Sequence, residues 1–296
     1  MKDTVGLKVL YILNDSLFYK RMTLFSIHTF QKYNQDIPVE ILLVKDSGIN
    51  NRDVNWYADR DWGLGHVTQD NFVNVCESVN VKVCEVKYDN GEETGFHSSL
   101  RGAFVQVNGE DILLVDSDTF FFGSIHEFFN YCADYDIVAD KSAWSWAGLK
   151  LPMRQMDFYQ FNSGVVLFRG KLLQEYGKVV HDYCVEIKHE RHYLGAIMAE
   201  YERKNNPDMQ VKFGREEMAF SLWVVDKGLK YKYFDENEVQ TRILRGRVLP
   251  KIFHTEAGSW AKYWQRYFRS GNYKHPIRWL GRPNLNNVHS LGQFCP

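Results

Sequence analysis

Four groups of side chains in this 296-residue chain could do chemistry together. Asp116 and Asp118 flank Ser117 at the end of the apolar run Ile112-Leu113-Leu114-Val115. Carboxylates that close repel one another. A divalent cation carrying a diphosphate is the simplest neutraliser, because hard cations prefer carboxylate oxygens. An Asp-rich turn after a strand would look the same, since Asp and Ser also favour turns. Phe161-Asn162-Ser163-Gly164 follows about 45 residues later. There Asn offers ligand hydroxyls a donor and an acceptor, and Gly lets a backbone approach a ligand closely. Glu216 and Glu217 open a helical stretch, where acids suit the positive end of the helix dipole and where one of the pair is expected to serve only as a cap. His254 ends a last apolar run, and a strand-end imidazole can complete a metal shell with two carboxylates.

These groups need a sheet to hold them. Leu7 to Asn14 reads as a first strand, with Asp15, Ser16 and Tyr19 in the loop after it. Residues 20–33 carry helical apolar spacing, and Val39 to Val44 reads as a second strand, so the chain opens with a βαβ unit. Further strands are predicted at 81–86, 112–115, 137–139, 161–168, 229–234 and 251–254, with helices at 68–79, 97–107, 125–134, 171–204 and 216–227. The run before Asp116 is apolar throughout, as in a strand buried on both faces. Its carboxyl end is where open α/β sheets bind ligands.

Composition sets the outer bounds. Hydrophobic residues make up 45% and charged residues 25%, the balance of an ordinary globular protein, and no stretch reaches transmembrane length. The five cysteines are widely spaced without a C-x-x-C, which predicts free thiols in a reducing, cytoplasmic setting; the start of the chain lacks the apolar stretch of a signal peptide. In that setting the sequon Asn14-Asp15-Ser16 would stay unmodified. His189-Glu190-Arg191-His192 has its second His one residue too early for H-E-x-x-H and reads as a solvated helix face. Residues 242–282 hold ten of the 36 Lys and Arg but one of the 37 acids, so this stretch is about +9 and the remainder about −10.

The order Asp116-Ser-Asp118, Phe-Asn162-Ser163-Gly164-Val, Glu216-Glu217 and His254 resembles that of the GT-A glycosyltransferases, most closely family 8, across most of residues 7–260. That resemblance implies an α/β fold of the GT-A kind: a Rossmann-like, mixed but mostly parallel sheet flanked by helices. It implies a catalytic domain over 1–250 and a basic aromatic extension over 251–296. It also implies an Mn2+ or Mg2+ cofactor and a nucleoside-diphosphate sugar as donor, with UDP the expected nucleotide. Asp116, Asp118 and His254 take the place of the group's metal ligands, with Asp118 binding directly and Asp116 acting through water or on the donor's sugars. Asn162, Ser163 and Gly164 match the segment that lines the sugar pocket. Asn14, Asp15 and Tyr19 match the nucleotide loop, and Arg101, 15 residues before Asp116, matches a base that contacts the nucleotide sugar. Lys262, or Arg266, would add positive charge at the leaving phosphate. Glu216 or Glu217 would serve as general base in an inverting reaction, or only steady the front face in a retaining one. The chain departs from the group's closing signature: Gly258 comes four residues after His254 and Lys262 eight after, and Arg215-Glu216-Glu217-Met218 replaces the usual D-Q-D.

The acceptor implied is a hydroxyl of a glycan, glycolipid or glycoprotein. In the C-terminal extension Trp260, Tyr263, Trp264, Tyr267 and Phe268 alternate with Lys262, Arg266 and Arg269. As a helix this segment suits anionic lipid headgroups at a membrane surface, or closure over the donor's diphosphate. The acidic remainder of the chain argues against a nucleic-acid groove. Two rival readings start from the same residues. A haloacid-dehalogenase-type phosphatase also begins from an apolar strand and D-x-D, but wants Thr or Val where Phe120 stands. An inactive carbohydrate-binding protein would keep the sheet and lose the chemistry. A sugar nucleotidyltransferase needs a glycine-rich first loop, and residues 14–21 contain no glycine.

Overall fold

In the computed structural model, the described residues are 7–45, 67–87, 100–141, 161–189, 191, 215–241 and 249–255. Along the chain the strands are β1 (Leu7–Asn14), β2 (Val39–Lys45), β3 (Val81–Lys87), β4 (Asp111–Val115), β5 (Thr119–Phe121), β6 (Ile137–Lys141), β7 (Phe161–Phe168), β8 (Tyr231–Tyr233), β9 (Val239–Thr241) and β10 (Ile252–His254). The α-helices are α1 (Leu17–Gln31), α2 (Phe72–Ser78), α3 (Leu172–Lys188) and α4 (Arg215–Asp226). Short 3-10 stretches cover Ala103–Gln106 and His126–Ala133.

Seven strands form one mixed sheet in the order β3-β2-β1-β4-β7-β6-β8. The pairings β3-β2, β2-β1, β1-β4 and β6-β8 are parallel, and β7 runs antiparallel to both of its neighbours. The α/β architecture is therefore the mostly parallel sheet flanked by helices that the sequence predicted. From β1 the chain builds outward to β2 and β3, then crosses back to place β4 on the other side of β1. The crevice beyond the carboxyl ends of β1 and β4 is the topological switch point, where sheets of this kind bind ligands.

The central strands carry unbroken apolar stretches, Val9 to Leu13, Ile112 to Val115 and Val165 to Phe168, because both of their faces are covered. Along β1, Val9, Tyr11 and Leu13 join one core with α1, and Leu10 and Ile12 join the other with α3 and α4. In β4 the same alternation puts Leu113 and Val115 on the α1 side and Ile112 and Leu114 on the other.

A second, three-stranded sheet in the order β5-β10-β9 lies beyond the switch point. Helix α1 is buried on all sides between the two sheets, which explains its lack of a polar face. Its hydroxyls do the stitching. Ser26 shares a 2.8 Å hydrogen bond with the Tyr11 hydroxyl of β1, and Thr29 accepts one at 3.1 Å from the Phe121 amide of β5. Phe30 meets Phe121 edge to face at 5.0 Å, a contact worth about 1 kcal/mol beyond burial.

The structure corrects the predicted elements at several points. Tyr19 stands in the first turn of α1, not in a loop, because Ser16 caps the helix and its carbonyl accepts the Lys20 amide at 3.0 Å. Strands β5 and β9, three residues each, carry too little alternation to be read in advance. The stretch 125–134 is 3-10 and not α-helical. Within the predicted helix at 97–107, Ala103–Gln106 is also 3-10. Helix α3 ends at Lys188, with His189 as its C-cap; of the predicted helix over 171–204, residues 190 and 192–204 lie outside the described residues. Among the described residues, no helix is long and apolar enough to cross a membrane. The basic aromatic segment after Thr255, with Lys262 and Arg266, lies outside the described residues.

Candidate active site

The Asp pair is placed by three strands. Val115 of β4 pairs with Tyr11 of β1 on one side and with Val165 of β7 on the other. One residue further on, the Asp116 amide donates to the Gly164 carbonyl at 2.7 Å. Because β7 is antiparallel and Val165 pairs with Val115, the residue before it, Gly164, falls beside Asp116, just past the end of β4. The turn then continues into β5, and β10 pairs with β5 so that His254 stands opposite Thr119. The Asp118 carbonyl accepts the Thr255 amide at 3.0 Å and the Thr255 hydroxyl at 2.9 Å, which locks His254 beside Asp118. Ser117 is pinned from the helix side, accepting a 2.7 Å hydrogen bond from Thr23 of α1.

The resulting triangle is compact. His254 Nε2 lies 3.2 Å from Asp118 Oδ1 and 3.7 Å from Asp116 Oδ2. One ligand atom from each of the three side chains falls within 4.8 Å of the others. Two ligand atoms at right angles around an ion with bonds of ~2.1 Å stand about 3 Å apart, so the spacing fits a small divalent cation. Two carboxylate oxygens and one imidazole nitrogen, with no thiolate, suit a hard or borderline divalent cation.

Gly164 makes the triangle sterically feasible. A Cβ at that position would stand 2.1 Å from His254 Cε1 and 2.6 Å from Nε2, so the imidazole rests on a bare backbone. Here the glycine serves the histidine before it serves any ligand.

The electrostatics favour a cation. Burial pushes the Asp118 carboxyl up, and Asp116 adds to this against the opposing pull of His254. Burial alone would depress His254, but Asp118, Asp116 and Glu217 outweigh it and push the imidazole up to about 9. The imidazole thus faces Asp118 together with Oδ2 of Asp116. The Tyr19 hydroxyl is pushed up by burial and then by Asp118 and Asp116, which places it beside the same negative charge.

On the far side of Asp116 sits an arginine held between two acids. Arg101 Nη2 donates to Asp116 Oδ1 at 2.9 Å and to the Ser163 carbonyl at 3.4 Å, and its Nε donates to Glu216 Oε1 at 3.2 Å. Burial works against its charge, yet Asp116 and Glu216 hold the guanidinium above its ordinary value. Arg101 Nη1 and His254 Nδ1 are buried atoms without a hydrogen-bond partner among the described residues.

The two neighbouring glutamates diverge. Glu216 is buried and receives the Ser163 hydroxyl on Oε2 at 2.7 Å and the Tyr176 hydroxyl on its carbonyl at 3.3 Å. Glu217 is part-exposed, accepts the Asn162 amide at 3.0 Å, and acts on His254 through its charge. Asn162 uses its own Oδ1 to accept the Gly164 amide at 3.0 Å.

The structure thus brings together Asp116, Asp118, His254, Arg101, Asn162, Ser163, Gly164, Glu216 and Glu217, with Tyr19 at the margin. In the β1–α1 loop, Asn14 is buried and turns its Oδ1 to the Ser16 amide at 3.3 Å. Asp15 pairs with Lys20 at 2.5 Å and with Lys45 at 3.4 Å. Sequence reasoning missed Tyr176, Thr255 and Thr23, all of which act through other residues. Their spacing in the chain carries no signal, because tertiary packing alone brings them in.

Fold and site together are those of a mixed α/β sheet with a carboxylate–imidazole cluster at its switch point. No family model and no curated protein matches the chain. Among solved structures, the chain is similar to the apo form of glycosyltransferase GlyE from Streptococcus pneumoniae TIGR4, with 13% identity, a TM-score of 0.47 and coverage of 88% of this chain. It spans 60% of that protein's length. It is also similar to the galactosyltransferase LgtC in complex with donor and acceptor sugar analogs, with 12% identity, a TM-score of 0.45 and coverage of 93% and 99% of the two chains. A third is mouse xyloside xylosyltransferase 1, with 10% identity, a TM-score of 0.48 and coverage of 85% and 98%.

Proposed function

We propose that this chain is a divalent-metal-dependent glycosyltransferase that moves a sugar from a nucleoside-diphosphate donor, with UDP the expected nucleotide, to a hydroxyl of a glycan, lipid or protein. The observation that carries the reading is the Asp116–Asp118–His254 triangle at the carboxyl end of β4, seated against the bare backbone of Gly164. Asp118 Oδ1, His254 Nε2 and Asp116 Oδ2 would hold Mn2+ or Mg2+. The ion, when bound, supplies Lewis-acid stabilisation of negative charge on the departing diphosphate.

The chain's own residues do the rest. Asn162, whose Nδ2 already supports Glu217, fixes one wall of the sugar pocket. Arg101 holds Asp116 by Oδ1, which leaves Oδ2 on the His254 side. Glu217, part-exposed on the His254 side, is the carboxylate placed to receive the acceptor's proton or to steady positive charge at the anomeric carbon. Tyr19, Asn14 and Asp15 border the switch-point crevice on the β1 side, where the nucleotide would lie. Lys262 is assigned to the leaving phosphate on sequence grounds.

A thermal-shift screen of UDP-, GDP- and CMP-sugars with and without Mn2+ tests the reading. A ligand at a hundredfold excess over its Kd stabilises the folded state by about 2.7 kcal/mol, enough to raise Tm by a few degrees. The expected result is a UDP-sugar shift that requires Mn2+ and disappears in Asp118→Ala. A chain that neither shifts with any donor and metal nor hydrolyses any sugar nucleotide sinks the proposal.

A further inference from the structure

Resting on the metal-dependent reading above, we propose that Glu216 is a positioning residue that restrains Arg101 and so sets how tightly Asp116 and Asp118 hold a divalent cation. The argument begins with the shape of the guanidinium. Arginine prefers to grip one carboxylate with two parallel N–H donors. Here it is divided between two acids, with Nη2 on Asp116 Oδ1 at 2.9 Å and Nε on Glu216 Oε1 at 3.2 Å. Shared in this way, it takes one oxygen of Asp116 and leaves Oδ2, the oxygen 3.7 Å from His254 Nε2, for the cation.

Glu216 is anchored so that it can keep its share. It stands in the first turn of α4, where the helix dipole favours a carboxylate. The Ser163 hydroxyl reaches Oε2 at 2.7 Å, and the Tyr176 hydroxyl lies 3.3 Å from its carbonyl and 3.5 Å from Oε1. Ser163 comes from β7 and Tyr176 from α3. Gly177, next to Tyr176, lets α3 approach the Arg101 segment, since a Cβ there would stand 2.7 Å from Phe104 Cβ and 2.8 Å from the Val105 amide nitrogen. Ser163, Tyr176, Glu216 and Arg101 are all buried, so Glu216 spends its contacts inside the protein.

Without Glu216, Arg101 would be free to close on both oxygens of Asp116 and compete with the metal directly. Loss of the Glu216 charge would weaken cation binding in the same direction by simple Coulomb attraction. A double-mutant cycle separates the two effects, because only the first passes through Arg101.

The experiment is an Mn2+ titration of the full chain followed by electron paramagnetic resonance, on wild type, Glu216→Gln, Arg101→Met and the double variant. Groups that orient metal ligands typically change affinity by 10–100-fold. Glu216→Gln is expected to weaken Mn2+ binding roughly 10-fold, and by less than about 3-fold in the Arg101→Met background. Ser163→Ala removes one anchor but keeps every charge; it is expected to weaken binding about 3-fold, and it carries the test if the charge variants fail to fold. Wild-type affinity in Glu216→Gln or in Ser163→Ala overturns the inference, as does an effect of equal size with and without Arg101. A wild-type chain that binds no Mn2+ overturns the metal-dependent reading itself, and the restraint falls with it.

Discussion

Asp116 divides the site into two halves that differ in their charge balance. On the Arg101 side, one permanent cation meets Asp116 and Glu216, and Glu216 also receives the Ser163 hydroxyl on its carboxylate and the Tyr176 hydroxyl on its carbonyl. On the His254 side, Asp118 and the second oxygen of Asp116 share one imidazole, and both the Asp118 carboxyl and His254 are displaced upward. The first half is closed and holds its geometry by itself. The second is two acids facing a cation of variable charge, and it is completed by what binds there. The difference shows how one sheet can both hold a site rigid and leave it reactive: the closed half fixes Asp116, and the other half uses it.

The sharpest way to break that comparison is Gly164→Ala. The added Cβ would collide with His254 Cε1 at 2.1 Å and must drive the ring out of the triangle. Mn2+ affinity should fall at least ~100-fold, beyond the range typical of groups that merely orient a ligand, while the Arg101 half keeps its hydrogen bonds. Isothermal titration with Mn2+ measures this, and near-normal binding would show that His254 is no ligand. Next in size is Glu217→Gln. Loss of a positioned acid–base group costs roughly 10^2–10^4 in rate, so turnover of the donor should drop by about that factor, far more than the loss of Mn2+ affinity that follows from removing one nearby charge; steady-state kinetics alongside the same titration separate the two. The smallest effect is expected from Thr255→Val. It deletes the 2.9 Å hydroxyl bond to the Asp118 carbonyl but spares the 3.0 Å amide bond to the same oxygen. A single neutral hydrogen bond is worth about 1 kcal/mol, so urea unfolding should show a loss of that order.

Much of this could be read from the chain. Leu7–Asn14 and Phe161–Phe168 have the bounds read from the chain, because each carries an apolar stretch, Val9 to Leu13 and Val165 to Phe168, of the kind a strand covered on both faces needs. Asp116 and Asp118 sit at a strand's carboxyl end for the same reason. The Arg101 half was much less legible. Arg101 and Glu216 are 115 residues apart and meet only because β7 runs antiparallel and α3 and α4 pack on its face. The Gly164–His254 contact was hidden as well, since it depends on two three-residue strands, β5 and β9, that flank β10 and have no periodicity of their own.

The position of β10 has a consequence for how the protein comes into being. It is the central strand of the second sheet, yet it is the last of the three in sequence, so β5 and β9 pair with nothing in that sheet until it arrives. Synthesis runs from the N-terminus, and folding follows it in that direction. A nascent chain that has emerged only as far as β9 has its aspartate pair and its arginine, but not the imidazole. The reactive centre is therefore assembled by the strand that closes the fold. Until Ile252–His254 has threaded between its two partners, a growing polypeptide lacks the third corner of the Asp116–Asp118–His254 triangle.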